Sequence, residues 1–393
     1  MIENMPLVSV LMVTYNRGKV LKETIESVLS QTYKNIQFII VDDGSTDDSY
    51  DTIKSFHDPR IEVYRLEKNR HICYATNFGF SKVKGEYLAR IDSDDVWYLT
   101  KLEKQVEFLK KNAKYKICFS WIDLIDENGK SINEKNKELL HLFESDFIGQ
   151  SDCLRYFFMH GNCLSHPSVL METSVMNNIG GFHPGYMQSH DFEYWVRIAK
   201  KYPIYVMQER LLAMRRFGEN KEKGNNNSNT SYVNSLRFYN EYVDIKRHFF
   251  DGMEDELFIK TFKEDFINKD AKSKAELECE KAFLLCHPIL HSTKTPPIAV
   301  EKFYELLLND ETKKILEDKY DFTEKTFYKM TGETIYFDHF VEKKLDTLDV
   351  QVSELEKENR FLKEQVHLYK DSKSWKITKP LRDLSEKVKK VMK

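Results

Sequence analysis

Over the first hundred residues, short continuous apolar runs alternate with longer stretches at helical spacing. Leu7 to Val13 is a β-branched run that predicts a buried strand. Arg17 to Gln31 carries Val20, Leu21, Ile25, Val28 and Leu29 on one helical face, with Asn16 as its candidate N-cap. Phe38 to Val41 predicts a second strand, and Asp47 to Phe56 a helix opened by a Ser45–Asp48 capping box. Arg60 to Leu66 and Tyr87 to Ile91 read as further strands, separated by a helix from Tyr74 to Lys82. Strand–helix alternation of this kind predicts an α/β fold: a mostly parallel, Rossmann-like sheet with helices on both faces. Such sheets bind ligands at the carboxyl ends of their strands. Polar clusters stand there: Thr14-Tyr15-Asn16, Asp42-Asp43 and Asp92-Ser93-Asp94-Asp95.

Beyond residue 115 the alternation loosens. Ile117 to Ile125 and Pro167 to Glu172 read as strands, and Asp95 as the cap of a helix over Val96 to Lys110. Asp191 to Lys201 places Phe192, Trp195, Val196 and Ala199 on one face, a buried helix. Gly218 to Ser231 is polar and low in complexity, the signature of a linker. Residues 232–340 read as helical, with a break at Pro296-Pro297. A heptad follows, with Leu345, Val352, Asn359 and Val366 at a and Leu348, Leu355, Leu362 and Tyr369 at d. That pattern predicts a coiled coil, and an Asn at one a position favours a parallel dimer. An amphipathic helix packed on its own domain would carry the same pattern. From Lys370 onward the chain is strongly basic, with Trp375, Pro380 and an apolar stripe of Leu381, Leu384, Val388 and Val391. This fits either an interfacial helix on an anionic membrane or a solvated terminal helix. The expected organisation is a catalytic domain over 1–224, a helical domain over 232–340, a dimerising coiled coil over 341–371 and a basic tail over 372–393.

Composition narrows the field. The 393 residues are 41% hydrophobic with a net charge of −3, which excludes a disordered chain and argues against a globally basic nucleic-acid binder. Mean hydropathy is −0.56. There is no apolar run near the ~20 residues a membrane-spanning helix needs. The N-terminus reads as a first strand rather than a signal peptide. The six cysteines include no C-x-x-C pair and read as reduced, buried thiols of a cytoplasmic protein.

The acids suggest the chemistry. Asp92 and Asp94, directly after a buried strand, suit a hard divalent cation that shares its coordination with phosphate oxygens. A helix cap or solvated turn would use the same residues. The first strand–helix loop, VTYNRGK, lacks G-x-G-x-x-G, which argues against a dinucleotide site.

The ordered motifs PLVSVLMVTYNRGKVLKETIESVLSQTYKNIQFIIVDDGSTDDS, GEYLARIDSDDVW, HPSVLMETSVMNNIGGF and SHDFEYWVRIAK resemble the GT-A fold, inverting glycosyltransferases of family 2. The likeness covers about residues 5 to 215, and the SKSWKITKPLRDL tail resembles a segment of bacterial members. It implies a nucleotide-sugar donor, most simply a UDP-sugar, and a glycan, lipid-linked or protein-linked hydroxyl as acceptor. Thr14, Tyr15 and Asn16 would line the nucleoside pocket, and Asp43 would accept from the base. Asp92 would meet the ribose or the metal shell, with Ser93 and Asn77 among the donor contacts. Asp94, with Asp92, would hold Mn²⁺ or Mg²⁺, and Asp191 would be the general base. A cap role for Asp191 stays open, and His190 and Glu193 are nearby rivals. The sequence departs from the family where Asn69-Arg70-His71 and Ala75-Thr76-Asn77 replace a Gly and an Arg, so Arg70 or Arg90 would supply the missing cation. A catalytically inactive dimeric scaffold and a nucleotidyltransferase are the alternatives. The location implied is cytoplasmic, with peripheral contact at the inner membrane face through the tail.

Overall fold

The computed structural model describes residues 5–147, 149–217, 232–289, 295–334 and 339–382. The chain forms two compact units, Met1–Ile335 and Tyr336–Lys393. The first is built on a mixed sheet of eight strands in the order β3-β2-β1-β4-β7-β6-β8-β5. These are β1 (Val8–Thr14), β2 (Ile36–Asp42), β3 (Ile61–Arg65), β4 (Tyr87–Asp92), β5 (Val96–Trp97), β6 (Ile117–Ile125), β7 (Leu170–Glu172) and β8 (Tyr205–Arg215). The first four are parallel neighbours, β7 runs antiparallel between β4 and β6, and β5 runs antiparallel to β8.

Both faces of this sheet are covered, which is why β1 and β2 are buried along their whole length. Side chains alternate between the faces. Val8, Val10 and Met12 pack with α1 (Gly18–Leu29), α2 (Ser49–Lys54) and α4 (Lys101–Lys111). Leu11 and Val13 pack with α3 (His71–Phe80), α6 (Gln150–His160) and α8 (His190–Ala199). Short helices α5 (Lys137–Leu142) and α7 (Thr173–Ile179) complete this part. The buried face foreseen for α8 is present: Phe192, Trp195, Val196 and Ala199 are all in the core.

The linker expected at Gly218 to Ser231 lies outside the described residues. After it come α9 (Tyr232–Arg247), α10 (Asp255–Phe262), α11 (Lys274–Leu285), α12 (Pro297–Leu307), α13 (Asp310–Tyr320) and α14 (Glu324–Glu333). Pro297 opens α12, the position at which a missing N–H costs nothing. Tyr242, Ile245, Phe249, Phe258 and Phe262 join the same apolar core as Leu11 and Val13. Phe158 of α6 meets the rings of Phe249, Phe250 and Phe262 at 5.1, 5.0 and 5.3 Å, an aromatic seam that binds these helices to the sheet domain. The second unit holds α15 (His339–Asp371) and α16 (Lys373–Ile377). The tail stripe at Leu384, Val388 and Val391 lies outside the described residues.

Three local expectations fail, each because a distant partner takes the side chain. Asn16 is not a cap: Arg17 precedes α1, and Asn16 sits at φ 53° with its Oδ1 accepting the Thr46 N–H at 2.8 Å. Ser45 forms no capping box; its hydroxyl accepts the Asn16 N–H at 3.0 Å, and α2 starts later. Asp95 caps no helix, because Val96–Trp97 is a strand and its carboxylate accepts the Arg215 N–H at 2.8 Å. Pro167 lies in a 3₁₀ turn, His166–Ser168, before the strand begins.

Gly44 sits at φ 75°, and a Cβ there would come within 2.7–2.9 Å of the Lys68 and Asn69 backbone. Gly44→Ala should therefore destabilise the native state by about 1–3 kcal/mol, read as a lower urea midpoint at unchanged m-value.

Candidate active site

Sheet register brings the expected polar clusters together. Thr14 pairs with Asp42, and Val13 with Asp92, so the ends of β2 and β4 flank the end of β1. Thr14 is buried, and its hydroxyl has no partner within the protein. Asn16, in its left-handed conformation, ties the loop after β1 to the loop after β2, with Tyr15 half-buried beside it. Asp42 is structural: it accepts the Ser45 N–H at 3.1 Å and lies 3.2 Å from the Arg65 Nε. Asp43 accepts the Arg70 N–H at 2.8 Å. Burial raises its pKa, against the lowering effect of the Arg70 and His71 backbone.

At the end of β4 the acids meet arginines. Arg17 Nε lies 3.2 Å from Asp94 Oδ2. The Arg215 guanidinium donates to the Asp94 carbonyl at 2.8 Å and also to Glu23 at 2.6 Å. Ser93 and Asp95 are buried. Burial raises the Asp92 pKa, Arg90 pulls it down and Asp94 pushes it up. Arg90 is 3% exposed. Its Nη1 donates to the Thr76 hydroxyl at 2.7 Å and its Nη2 lies 3.6 Å from Asp92. Thr76 stands where the family pattern has an arginine, so Arg90 reaches that place from the neighbouring strand. Arg70 instead is exposed and stacks on Tyr74 at 4.0 Å. Asn77 turns away from the donor role expected of it. Both ends of its amide bind the Phe182 backbone at 2.8 Å, so it clamps the loop before α8.

Asp191 begins α8. Its Oδ1 accepts the Phe192 N–H at 2.7 Å and its Oδ2 accepts from the Asn162 amide at 3.2 Å. Burial pushes its pKa up to about 6, outweighing the backbone N–H groups, Asn162 and Arg90, all of which lower it. The two rivals are differently occupied. Glu193 is locked to Arg197 at 2.6 and 2.9 Å. His190 hydrogen-bonds to the Met187 carbonyl at 3.0 Å, and burial pulls its pKa down to about 4.

Two residues escaped the sequence reading. His166, of the HPSVL motif, is 8% exposed, with Nδ1 4.0 Å from Asp92 and its ring 5.6 Å from that of His190. Arg215 is the strut beneath Asp94 and Asp95. Position in a motif was the available signal for His166; Arg215 had none, since Glu23, Asp94 and Asp95 lie more than a hundred residues away. Among the described residues, the Nε2 atoms of His166 and His190 and the Nε and Nη2 of Arg90 find no hydrogen-bond partner. Among the described residues no three potential metal ligands converge. The Asp92 and Asp94 carboxylates are of the donor type that suits a hard divalent cation.

Comparison with known proteins agrees with this fold. The model of Glycosyl transferase family 2 matches residues 9–173. An uncharacterized glycosyltransferase of Methanocaldococcus jannaschii is 33% identical over 215 residues, 53% of this chain and 71% of that protein. One from Rickettsia felis is 30% identical over 301 residues, 75% of this chain, which spans only 47% of that longer relative. Residues 1–349 of S. aureus TarS, solved with UDP-GlcNAc, superpose with a TM-score of 0.51 at 15% identity, over 84% of this chain and 93% of that one. The chain belongs to glycosyltransferase family 2, and its first unit has the GT-A fold.

Proposed function

We propose that this glycosyltransferase moves a sugar from a UDP-sugar to a hydroxyl of a surface glycan, lipid-linked or protein-linked acceptor, inverting the anomeric centre. The observation that carries this reading is Asp191: a carboxylate with a pKa pushed up to about 6, within electrostatic reach of Arg90 and Asp92. A base near neutrality can take the acceptor proton as the new bond forms. Inversion needs one such base and no covalent nucleophile. Thr14, Tyr15 and Asn16 line the nucleoside pocket, and Asp43 accepts from the base. Uridine is supported by that acidic acceptor and by the UDP-GlcNAc bound to TarS, a protein of the same fold. Arg90 faces the diphosphate, and the partnerless nitrogens of Arg90, His166 and His190 match a ligand rich in hydroxyl and phosphoryl oxygens. Asp94, with Asp92, would hold Mn²⁺ or Mg²⁺, which supplies charge neutralisation for the departing diphosphate.

We further propose self-association through α15. Leu348, Val352, Leu355, Leu362 and Val366 of the heptad are each 45–63% exposed, and Asn359 lies on the same seam. Leu345 and Tyr369 side chains lie outside the described residues. A parallel second copy would cover that stripe and pair the two asparagines. The basic tail would bring the dimer to an anionic membrane surface from the cytoplasmic side.

Asp191→Asn should abolish transfer while leaving UDP affinity nearly unchanged. In the native enzyme the raised pKa moves the acid limb upward. The base is ionised above about pH 6, and below it the rate should fall about tenfold per pH unit. A flat profile down to pH 4.5, or full activity in the Asn variant, would refute the base.

Saturating UDP with Mn²⁺, at about 100 times its dissociation constant, should stabilise the protein by about 2.7 kcal/mol in thermal melts. Asp94→Asn should lose the metal-dependent part. A shift that ignores Mn²⁺ would count against the metal assignment. A shift with GDP, CDP or dTDP instead of UDP would overturn the uridine reading.

Residues 1–344 alone should be monomeric by light scattering and the full chain dimeric. A dimeric truncated chain would put the interface elsewhere.

A further inference from the structure

The helices after residue 231 carry no recognisable chemical motif, yet α9 reaches the loop that presents Asp191. Glu241, 7% exposed, accepts three successive backbone N–H groups: Met187 at 2.8 Å, Gln188 at 2.8 Å and Ser189 at 2.6 Å. That loop runs directly into His190 and Asp191. The neighbouring Tyr242 stacks on Phe192 at 4.9 Å and 27°, and its hydroxyl accepts the Asn162 N–H at 3.0 Å. Asn162 in turn donates to Asp191 Oδ2. Asp244, one turn on, accepts the Tyr186 hydroxyl at 2.6 Å. The approach at Asn162 needs the preceding residue to be glycine. A Cβ on Gly161, which sits at φ 91°, would meet the Tyr242 ring at 2.7 Å.

Three properties separate this contact from ordinary packing. First, a carboxylate that gathers three consecutive N–H groups fixes the loop backbone in one conformation, because rotation of any one peptide leaves a buried donor unpaired. Second, α9 reaches Asp191 by two indirect routes: through the backbone that precedes it and through Asn162, whose amide donates to its second oxygen. Third, the contact comes from α9, beyond the residues 5–215 that carry the family motifs.

We propose that Glu241 and Tyr242 of α9 are positioning residues for the transfer reaction, holding the 187–191 loop and Asn162 so that the Asp191 carboxylate faces the reacting hydroxyl. This rests on Asp191 being the base. The helical region is then part of the catalytic apparatus and not only a spacer before α15. A misplacement of a catalytic group by an ångström costs on the order of 100-fold in rate, whereas the donor pocket is built on β1, β2 and β4.

The test uses the full chain and UDP release with Mn²⁺ from whichever of UDP-glucose, UDP-galactose, UDP-GlcNAc and UDP-GalNAc turns over fastest. Tyr242→Phe removes one hydroxyl and keeps the ring, so it should fold. Glu241→Gln keeps one acceptor oxygen, and Glu241→Ala keeps none. Expected is a graded fall in kcat, on the order of 10–100-fold for Glu241→Ala and less for Gln and Phe. The donor KM and UDP affinity should stay within about twofold, a split that general loosening would not produce. Amide hydrogen exchange over 187–191 should speed up in Glu241→Ala. Native kcat in the folded variants, or KM and kcat worsening together, would overturn the proposal. Asp191→Asn run alongside separates the two ideas. If it stays active, the base reading has failed; if it is inactive while the α9 variants are native-like, only the positioning role has failed.

Discussion

Carboxylates buried side by side raise the free energy of the folded state unless cations or N–H donors meet them. Here Asp42 and Asp92 end the two strands that flank β1, and Asp43, Asp94 and Asp95 follow directly. Each has its counterpart. Arg65 meets Asp42, the Arg70 N–H meets Asp43, Arg90 meets Asp92, Arg17 meets Asp94, and Arg215 holds Asp95 and the backbone beside it. The five arginines come from five different places in the fold: the loop before α1, β3, the loop before α3, β4 and β8. The acidic rim at the strand ends thus depends on tertiary structure being complete, and in turn it fixes where the loops after β1 and β2 can lie.

The balance is not neutral everywhere. Arg90 has one good neutral partner, Thr76, and a longer contact to Asp92. A guanidinium with donors left over inside a protein is costly, about 1–3 kcal/mol for each unsatisfied group. Such a cost is kept when a ligand repays it. The same reasoning applies to the histidines beside it, which burial holds neutral. With its Nδ1–H donating to the Met187 carbonyl, neutral His190 keeps Nε2 as an acceptor for a hydroxyl and adds no charge against Arg90.

Much of this was legible in the sequence because parallel strands buried on both faces leave continuous apolar runs, and because α1, α4 and α8 bury one face each. The strand-end acids were legible for the same reason, since a strand boundary tells where its polar residues emerge. What misled was local chemistry. Asn16, Ser45 and Asp95 each have the type and spacing of a helix cap, yet each gives its side chain to a residue 29 to 120 positions away. Propensity counts only neighbours in sequence, and a buried site chooses neighbours in space. His166, Arg215, Glu241 and Tyr242 were hidden for the converse reason: nothing near them in the chain has the partner that gives them meaning. Past the polar stretch over 218–231, α9 and α10 share an apolar core with the sheet, while α13 and α14 build on a separate one.

The placement of Asp191 joins these threads. A carboxylate at a helix N-terminus is normally a poor base, because the first N–H groups and the helix dipole stabilise its charge. That pull is present here, in the bond from the Phe192 N–H and the one from Asn162. Burial is the stronger effect and moves the group to about 6. The same burial depends on what surrounds the loop before α8: Asn77 clamps it from α3, and Glu241 and Tyr242 hold it from α9. Tyr242 packs on Phe192 and accepts the Asn162 N–H, so α9 borders both residues that donate to the Asp191 carboxylate. The basicity of Asp191 is in that sense a property of the packing between the sheet domain and its helical extension.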